Sequence, residues 1–307
     1  RIARQHFPRN YSRELPRLAG GTADGLPRVY DIAMELITHS DGMLDAASLR
    51  QFVGAYQSVT PLMLGELWAI PIMLRLALLE NLRRIAVRTM SEQCDRDLAA
   101  DAACRVLEVI ESDPKAAIIA VADLIRSDPP LTGSFVSEYA QRLHGRAGHV
   151  PVAVQWLDHH LVGQGQNVER LIHLNGQAQA ADQVSIGNSI TSLRLLGALD
   201  WRQFVEEQSR VETVLKSDPA GAYERMSFAT RDRCRHAVES IARRSSLSEP
   251  QVARAAIELA QSARRTSIEP TLRTELPHDE PIDHVGYYLL DKGRRQLEKC
   301  VGYRRTP

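Results

Sequence analysis

Apolar residues along this chain recur at spacings of three and four, and turn residues interrupt them at short intervals. Leu49, Phe52, Val53 and Tyr56 form one such stripe. Cys234, Val238, Ile241 and Ala242 form a second, and Val252, Ala255, Ala256 and Leu259 a third. Residues three and four apart share a helix face, so each stripe reads as the buried side of an amphipathic helix. No run alternates apolar and polar positions for long enough to make a strand, and no Asn-Gly hairpin joins strand-like segments. The pattern predicts an all-α fold, a multi-helix bundle or helical array of about ten to twelve helices with no significant sheet.

The punctuation agrees. Asp113-Pro114, Asp128-Pro129 and Asp218-Pro219 each follow a serine. Asp caps a helix N-terminus and Pro fits the first helical position, so each pair reads as a stop and a new start. A second proline, Pro130, makes a loop the better reading after Asp128. Ser248-Glu249-Pro250-Gln251 has the form of a capping box, and Asp200 with Gln203 a related cap.

Two segments stand out. Pro61 to Val87 is the most apolar, but Glu66, Arg75 and Pro71 interrupt it. A membrane span needs roughly 20 apolar residues with few charges, so this segment reads as a buried core helix. Glu66 and Arg75 are too far apart in register to pair with each other and must find partners elsewhere. From about Asn167 to Leu199 a second long helix is expected, its middle rich in amides, serines and glycines. Such a helix packs polar groups against neighbours or lines a groove. Three prolines between Thr266 and Pro281 suggest an extended linker. The expected organisation is therefore a helical domain over 1–265, a linker over 266–285, and a C-terminal helix within 286–307. That last helix, Leu289 to Val301, is expected to stand apart from the body and lead towards a membrane span.

Composition narrows the function less than the pattern does. With 38 basic and 38 acidic residues in 307, the chain has no overall bias towards nucleic acid or anionic lipid. Aromatics are only 5%, which favours helix formers over strand formers. Cys94, Cys104, Cys234 and Cys300 form no CxxC pair, so a reduced, cytoplasmic setting is the default. The chain starts at Arg1 without a Met or a signal peptide, which suggests a piece of something longer. Its basic end, from Lys299 to Arg305, reads equally as a helix terminus or as the cytoplasmic flank of a span.

Reaction chemistry is sparse. There is no Walker loop, GxGxxG or HExxH. His159 and His160 are adjacent on a helix and read as surface residues. Asp95-Arg96-Asp97 has the DxD form of metal-binding sugar-nucleotide transferases, but inside a helix. The densest charge is in Met226 to Glu239. Arg231 and Arg235 share a face there, as do Asp232 and His236, with Glu239 near. The arginines suit a phosphate or carboxylate. They suit equally well ion pairs with Glu206, Glu207 and Glu212. Those glutamates in turn could form a carboxylate pair for glycoside cleavage.

Several blocks together carry a resemblance. These are Leu15-Pro16, Pro27-Arg28-Val29-Tyr30, Gly65-Glu66-Leu67-Trp68-Ala69, Leu74-Arg75-Leu76 and Glu80-Asn81-Leu82-Arg83-Arg84. Later come Asn188 to Arg194, Asp200-Trp201, Met226 to Arg233, and Gly286-Tyr287-Tyr288-Leu289-Leu290. In this order they resemble the N-terminal region of the cyclic beta-1,2-glucan synthetases. The sequence departs from that pattern at Cys234, where Tyr is expected, and at Ser227, where Asp is expected.

The resemblance implies a parent of the inner membrane that builds glucan from UDP-glucose with a divalent metal. It places this chain before the first spans, on the cytoplasmic face, and puts the catalytic motifs elsewhere. The implied role is a non-catalytic interaction or scaffolding domain with no cofactor of its own and no nucleic-acid partner. Its partner is the rest of the polypeptide. Candidate docking or anion-binding residues are Arg231, Asp232, Arg235, His236, Gln177, Asn188 and Arg194. The alternative is a module in which the Arg-rich helix holds a sugar nucleotide or anionic glucan.

Overall fold

The computed structural model describes residues 15–20, 24–113, 116–144, 151–163, 167–268 and 282–304. Fourteen helices and no strand occur among them, as the all-α reading expects. The first seven are α1 (Arg28–His39), α2 (Ala46–Val59), α3 (Leu64–Ser112), α4 (Ala117–Arg126), α5 (Gly133–His144), α6 (Pro151–Gly163) and α7 (Val168–Ala198). There follow α8 (Trp201–Gln208), α9 (Arg210–Leu215), α10 (Ala222–Arg225), α11 (Phe228–Ala242), α12 (Glu249–Ile268), α13 (Val285–Leu290) and α14 (Arg294–Cys300). An antiparallel bridge between Arg17 and Pro27 ties the chain just before α1.

The chain forms two compact units. One comprises 1–36, 44–75 and 195–307, the other 37–43 and 76–194, so the divisions at Arg75 and Arg194 fall inside α3 and α7. In the first unit, α9 and α11–α14 close around a core that includes Leu215, Val238, Ile241, Val252, Ala256 and Leu289. The caps behave as read from the sequence. The Gln251 side chain accepts from the Ser248 N–H at 2.8 Å, and Asp200 accepts from the Arg202 and Gln203 amides. At Asp218-Pro219 the helix does not start at once: α10 begins at Ala222 with Gly221 as its N-cap, and the Asp218 carboxylate reaches across the turn. One oxygen accepts from Ala222 and Tyr223, and the other accepts from the Val285 N–H at 2.9 Å.

That last bond marks a correction. The expected free-standing helix Leu289 to Val301 is two short helices, α13 and α14. Both are folded into the core through Val285, Tyr288, Leu289, Leu297 and Val301. They break at Gly293, where a Cβ would stand 2.5 Å from the Tyr287 ring. Of the expected linker, Thr266 to Ile268 continue α12, and residues 269–281 lie outside the described residues.

No helix among the described residues is long and apolar enough to cross a membrane. The apolar start of α3 is instead buried through Leu64, Leu67, Trp68, Ile70 and Leu74. Its two charges find distant partners. Arg28 donates to both oxygens of Glu66, and Arg75 donates to the Leu196 carbonyl at 2.8 Å.

In the second unit, Phe135, Tyr139, Leu157 and Leu161 form the centre of the core. The rings of Phe135 and Tyr139 stack at 5.8 Å, and Trp156 meets Tyr139 edge-on at 6.3 Å. The polar middle of α7 packs as expected of it. Asn81 of α3 donates to the hydroxyls of Ser185 and Ser189 at 3.0 and 3.1 Å, and Ser192 donates to the Gly42 carbonyl. Gly42 has φ +76°, and a Cβ there would stand 2.5 Å from Ser189 Oγ. Only glycine meets both demands.

Candidate functional site: a buried guanidinium–carboxylate cluster

The cluster is assembled from three helix starts. Ser227 caps α11 by accepting from the Thr230 N–H, as the Asp of the related pattern also could. Asp200 caps α8 and so sets the phase of Glu206. Ser209 caps α9 by accepting from the Glu212 N–H at 3.2 Å, which turns Glu212 inwards. Arg231 and Arg235, one turn apart on α11, then face these two glutamates.

Arg235 is fully buried and donates to Glu206 at 2.9 Å, Glu212 at 2.7 Å and Asp232 at 3.1 Å. Arg231 grips both oxygens of Glu206 at 3.0 Å and donates to the Met226 carbonyl at 2.9 Å. The Tyr223 hydroxyl donates to Glu212 at 2.6 Å. The Phe228 ring lies 5.0 Å from the Arg235 guanidinium and 5.3 Å from that of Arg202.

Burial works against the charge on Arg235, but the bonds to Glu206 and Glu212 outweigh it and raise its pKa above the ordinary value. Burial, with Glu212 beside it, raises the Tyr223 phenol. Arg235 is therefore held cationic, set against the Glu206, Glu212 and Asp232 carboxyls.

At its edge, His236 lies 3.5 Å from Asp232 and 3.0 Å from Glu239. Hydrogen bonds to Asp232 and Glu239 push its pKa up to about 9, so the imidazole is cationic at neutral pH. Burial opposes ionisation of Asp232, yet His236 and Arg235 hold its carboxyl below the ordinary range.

Of the glutamates expected to answer the arginines, Glu206 and Glu212 do so, whereas Glu207 pairs with Arg50 at 2.7 Å. This geometry commits both guanidinia of the Arg231/Arg235 face to the chain's own carboxylates. It likewise neutralises Glu206 and Glu212, which bear on the same guanidinium and do not form an acid–base pair. Cys234, in the place of the expected Tyr, is buried in the core, and burial pushes its thiol up to about 12.

Gln177, Asn188 and Arg194 belong to the second unit and are not part of this cluster. Gln177 is exposed and bonds His173 at 3.0 Å. Asn188 donates to the Asp41 carbonyl at 3.2 Å, and Arg194 is exposed. The same helix does line a groove. A cavity of about 420 Å³ is bordered by Asn175, Gln179, Asp182 and Gln183 of α7 and by Ser134 and Ser137 of α5.

The DxD acids lie on α3, as the sequence placed them. Asp95 accepts from Thr132 and Asp97 from Gln93, both at 2.8 Å. No group of three His, Cys, Asp or Glu that could hold a metal occurs among the described residues. His159 and His160 are both exposed.

One feature escaped the sequence reading. A largely apolar cavity of about 460 Å³ in the first unit is lined by Leu62, Met63, Leu247 and Pro250, with Glu66, Glu239 and Glu249 among its polar residues. Glu249 reaches the start of α3 and accepts from the Leu64 N–H at 2.9 Å. Burial pushes its carboxyl up to about 7. The capping box showed that α12 starts here, but not that Glu249 points into another helix terminus.

Set against known proteins, the chain is 29% identical over 301 residues to the cyclic beta-(1,2)-glucan synthase NdvB of Rhizobium meliloti (strain 1021). The match covers 98% of this chain and 10% of that protein, so the chain spans about a tenth of its relative's length. No family model matches. The resemblance carried by the sequence blocks is borne out by this match.

Proposed function

We propose that this chain is a non-catalytic helical part of a cyclic beta-1,2-glucan synthase. It acts at the cytoplasmic face of the bacterial inner membrane as an interaction domain for the rest of that polypeptide. The parent transfers glucose from UDP-glucose with a divalent metal held outside this chain.

The closed charge cluster carries the reading. The residues richest in potential chemistry are engaged with one another, with Arg235 fully buried among Glu206, Glu212 and Asp232, and only Arg235 Nε and Glu212 Oε1 of that pair lack a hydrogen bond. Such a cluster specifies how helices pack and leaves the exposed polar face of α7, around Gln177 and Arg194, for docking. In the full-length synthase, Arg194→Glu is expected to lower cyclic glucan output, while the purified 307-residue chain melts unchanged. Normal output from that variant would sink the docking role.

The amide-rich groove beside α7 favours a second reading, a site for glucan hydroxyls. Calorimetric titration of the chain with linear beta-1,2-glucan and with UDP-glucose tests it. Heat with glucan that Gln179→Ala abolishes would support it, and silence with both ligands would reject it.

A further inference from the structure

The second unit leaves one long helix face uncovered. On α3, Leu76, Leu79, Val87, Met90 and Leu98 are 46–70% exposed, and Cys94 is exposed between them. With Arg83 these positions follow spacings of three, four, four, three, four and four. Leu76, Val87 and Leu98 are eleven residues apart, as are Leu79 and Met90. An eleven-residue repeat advances 3.67 residues per turn, close to a straight α-helix, so the positions hold one line instead of drifting round the surface. The stripe is ~33 Å long. Large apolar side chains in a continuous exposed row mark a surface that is covered in use.

The charges flanking the row show what covers it. From Glu80 to Met90 there are three arginines, Arg83, Arg84 and Arg88, against one acid. From Ser91 to Asp101 there are four acids, Glu92, Asp95, Asp97 and Asp101, against Arg96. The helix is thus basic in one half and acidic in the other. Parallel pairing with an identical helix would set like against like, with Arg83 facing Arg83. Antiparallel pairing sets basic against acidic.

One antiparallel register also matches four of the five apolar positions, with Leu76 falling opposite Asp101. Leu79 meets Leu98 of the second copy, Val87 meets Met90, and Arg83 meets Cys94 with Asp97 of the same face beside it. The bonds of the two charges that meet in this register are local and exposed, Arg83 to Glu80 and Gln93 to Asp97, and are weak enough to exchange, whereas Arg88 and Asp95 stay engaged with Asp182 and Thr132 of their own chain. The acidic half argues against an anionic membrane surface as the cover.

We infer that the Leu76–Leu98 face of α3 is a self-association surface, on which two copies of this chain pair antiparallel. This goes beyond the docking role proposed above and does not depend on it.

Sedimentation velocity of the 307-residue chain tests it. The expected result is a monomer at low concentration and a dimer at high concentration, with Met90→Glu held monomeric and its melting temperature unchanged. Arg83→Asp and Asp97→Arg should each weaken the dimer, and an equimolar mixture of the two should form a heterodimer tighter than either alone. A merely structural role for these residues gives no such rescue between chains.

Orientation is read with Cys94 in a Cys104→Ser, Cys300→Ser background. In the antiparallel register the two Cys94 residues are about 16 Å apart along the axis, too far for a disulfide, which needs Cα atoms within ~7 Å. A rapid Cys94–Cys94 disulfide under mild oxidation would overturn the register. A chain that stays monomeric throughout would overturn the proposal, as would a dimer indifferent to Met90→Glu. Binding of a monomeric chain to anionic vesicles, lost in Met90→Glu, would assign the stripe to lipid and also overturn it.

Discussion

Both units bury polar side chains, but of opposite kinds. The first buries an ionic cluster, Arg235 among Glu206, Glu212 and Asp232, together with a carboxyl that resists ionisation, Glu249 against the start of α3. The second buries mainly neutral groups, with Asn81 between Ser185 and Ser189 and Ser192 on the Gly42 carbonyl, and a single carboxylate, Asp182, paired with Arg88. Neutral seams give direction to helix packing at modest cost and do not respond to pH. Ionic clusters impose a large penalty when one partner is lost and couple stability to protonation. The contrast teaches that a high density of charge in sequence can end as a core device, while the residues left for contact are plainer ones.

The sharpest way to break the contrast is Arg235→Met. It removes the guanidinium shared by three carboxylates, of which Glu206 keeps Arg231 and Asp232 keeps His236 while Glu212 loses its buried partner, and we expect a loss of about 3–5 kcal/mol near neutrality in urea unfolding. Adding Glu212→Gln should recover part of it. If Arg235→Met costs no more than a neutral-seam variant, the ionic cluster is not the keystone of its unit.

Next is Glu249→Gln. Facing Glu249 are the Leu64 amide and Glu66 from α3, with Glu239 from α11 and Arg243 at its C-cap. Its pKa is raised from 4.5 to about 7, mainly by burial. A carboxyl harder to ionise when folded keeps its proton in the native state, so stability falls as pH rises from 4.5 through about 7. Glutamine keeps the acceptor for Leu64 without the charge. The variant should therefore be more stable above pH 7, on the order of 3 kcal/mol, and little changed at acid pH. Equal shifts at both ends of the pH range would contradict the assignment.

Smaller still is Asn81→Ala in the neutral seam, which leaves two buried hydroxyls without their donor. A cost of about 1–3 kcal/mol is expected, the same at acid and alkaline pH. A pH-dependent cost would blur the distinction between the two units.

The smallest effect belongs to His236, whose side chain is 44% exposed and screened by water. Its pKa is raised from 6.5 to about 9 by Asp232 and Glu239, so its contribution is full below 6.5 and is lost as pH climbs through 9. His236→Gln should flatten the stability profile in that window only, which chemical denaturation at closely spaced pH values can resolve.

How much of this was legible beforehand varies by element. α7 was read almost to its ends, because a long periodic helix with a polar middle leaves a strong local pattern. The caps at Asp200 and Ser248 were visible because capping is decided within four residues. The pairing of Arg231 and Arg235 with Glu206 and Glu212 was one of two open readings. Residues on one helix face are known from spacing, but what faces them is not. The C-terminal pair α13 and α14 was misread, since six- and seven-residue helices carry too little periodicity to show that they join a core. The cavity around Glu249 left no mark in the sequence, because its walls come from segments far apart in the chain.

By itself, then, the sequence determined the all-α class, the longer helices, the caps at Asp200 and Ser248 and a likeness to a cyclic beta-(1,2)-glucan synthase, all of which rest on local spacing or ordered blocks. Only the tertiary structure decided which charges are consumed. A guanidinium on a helix surface and one sealed among three carboxylates have the same local sequence. The difference lies in the desolvation and partners supplied by helices that start dozens of residues away.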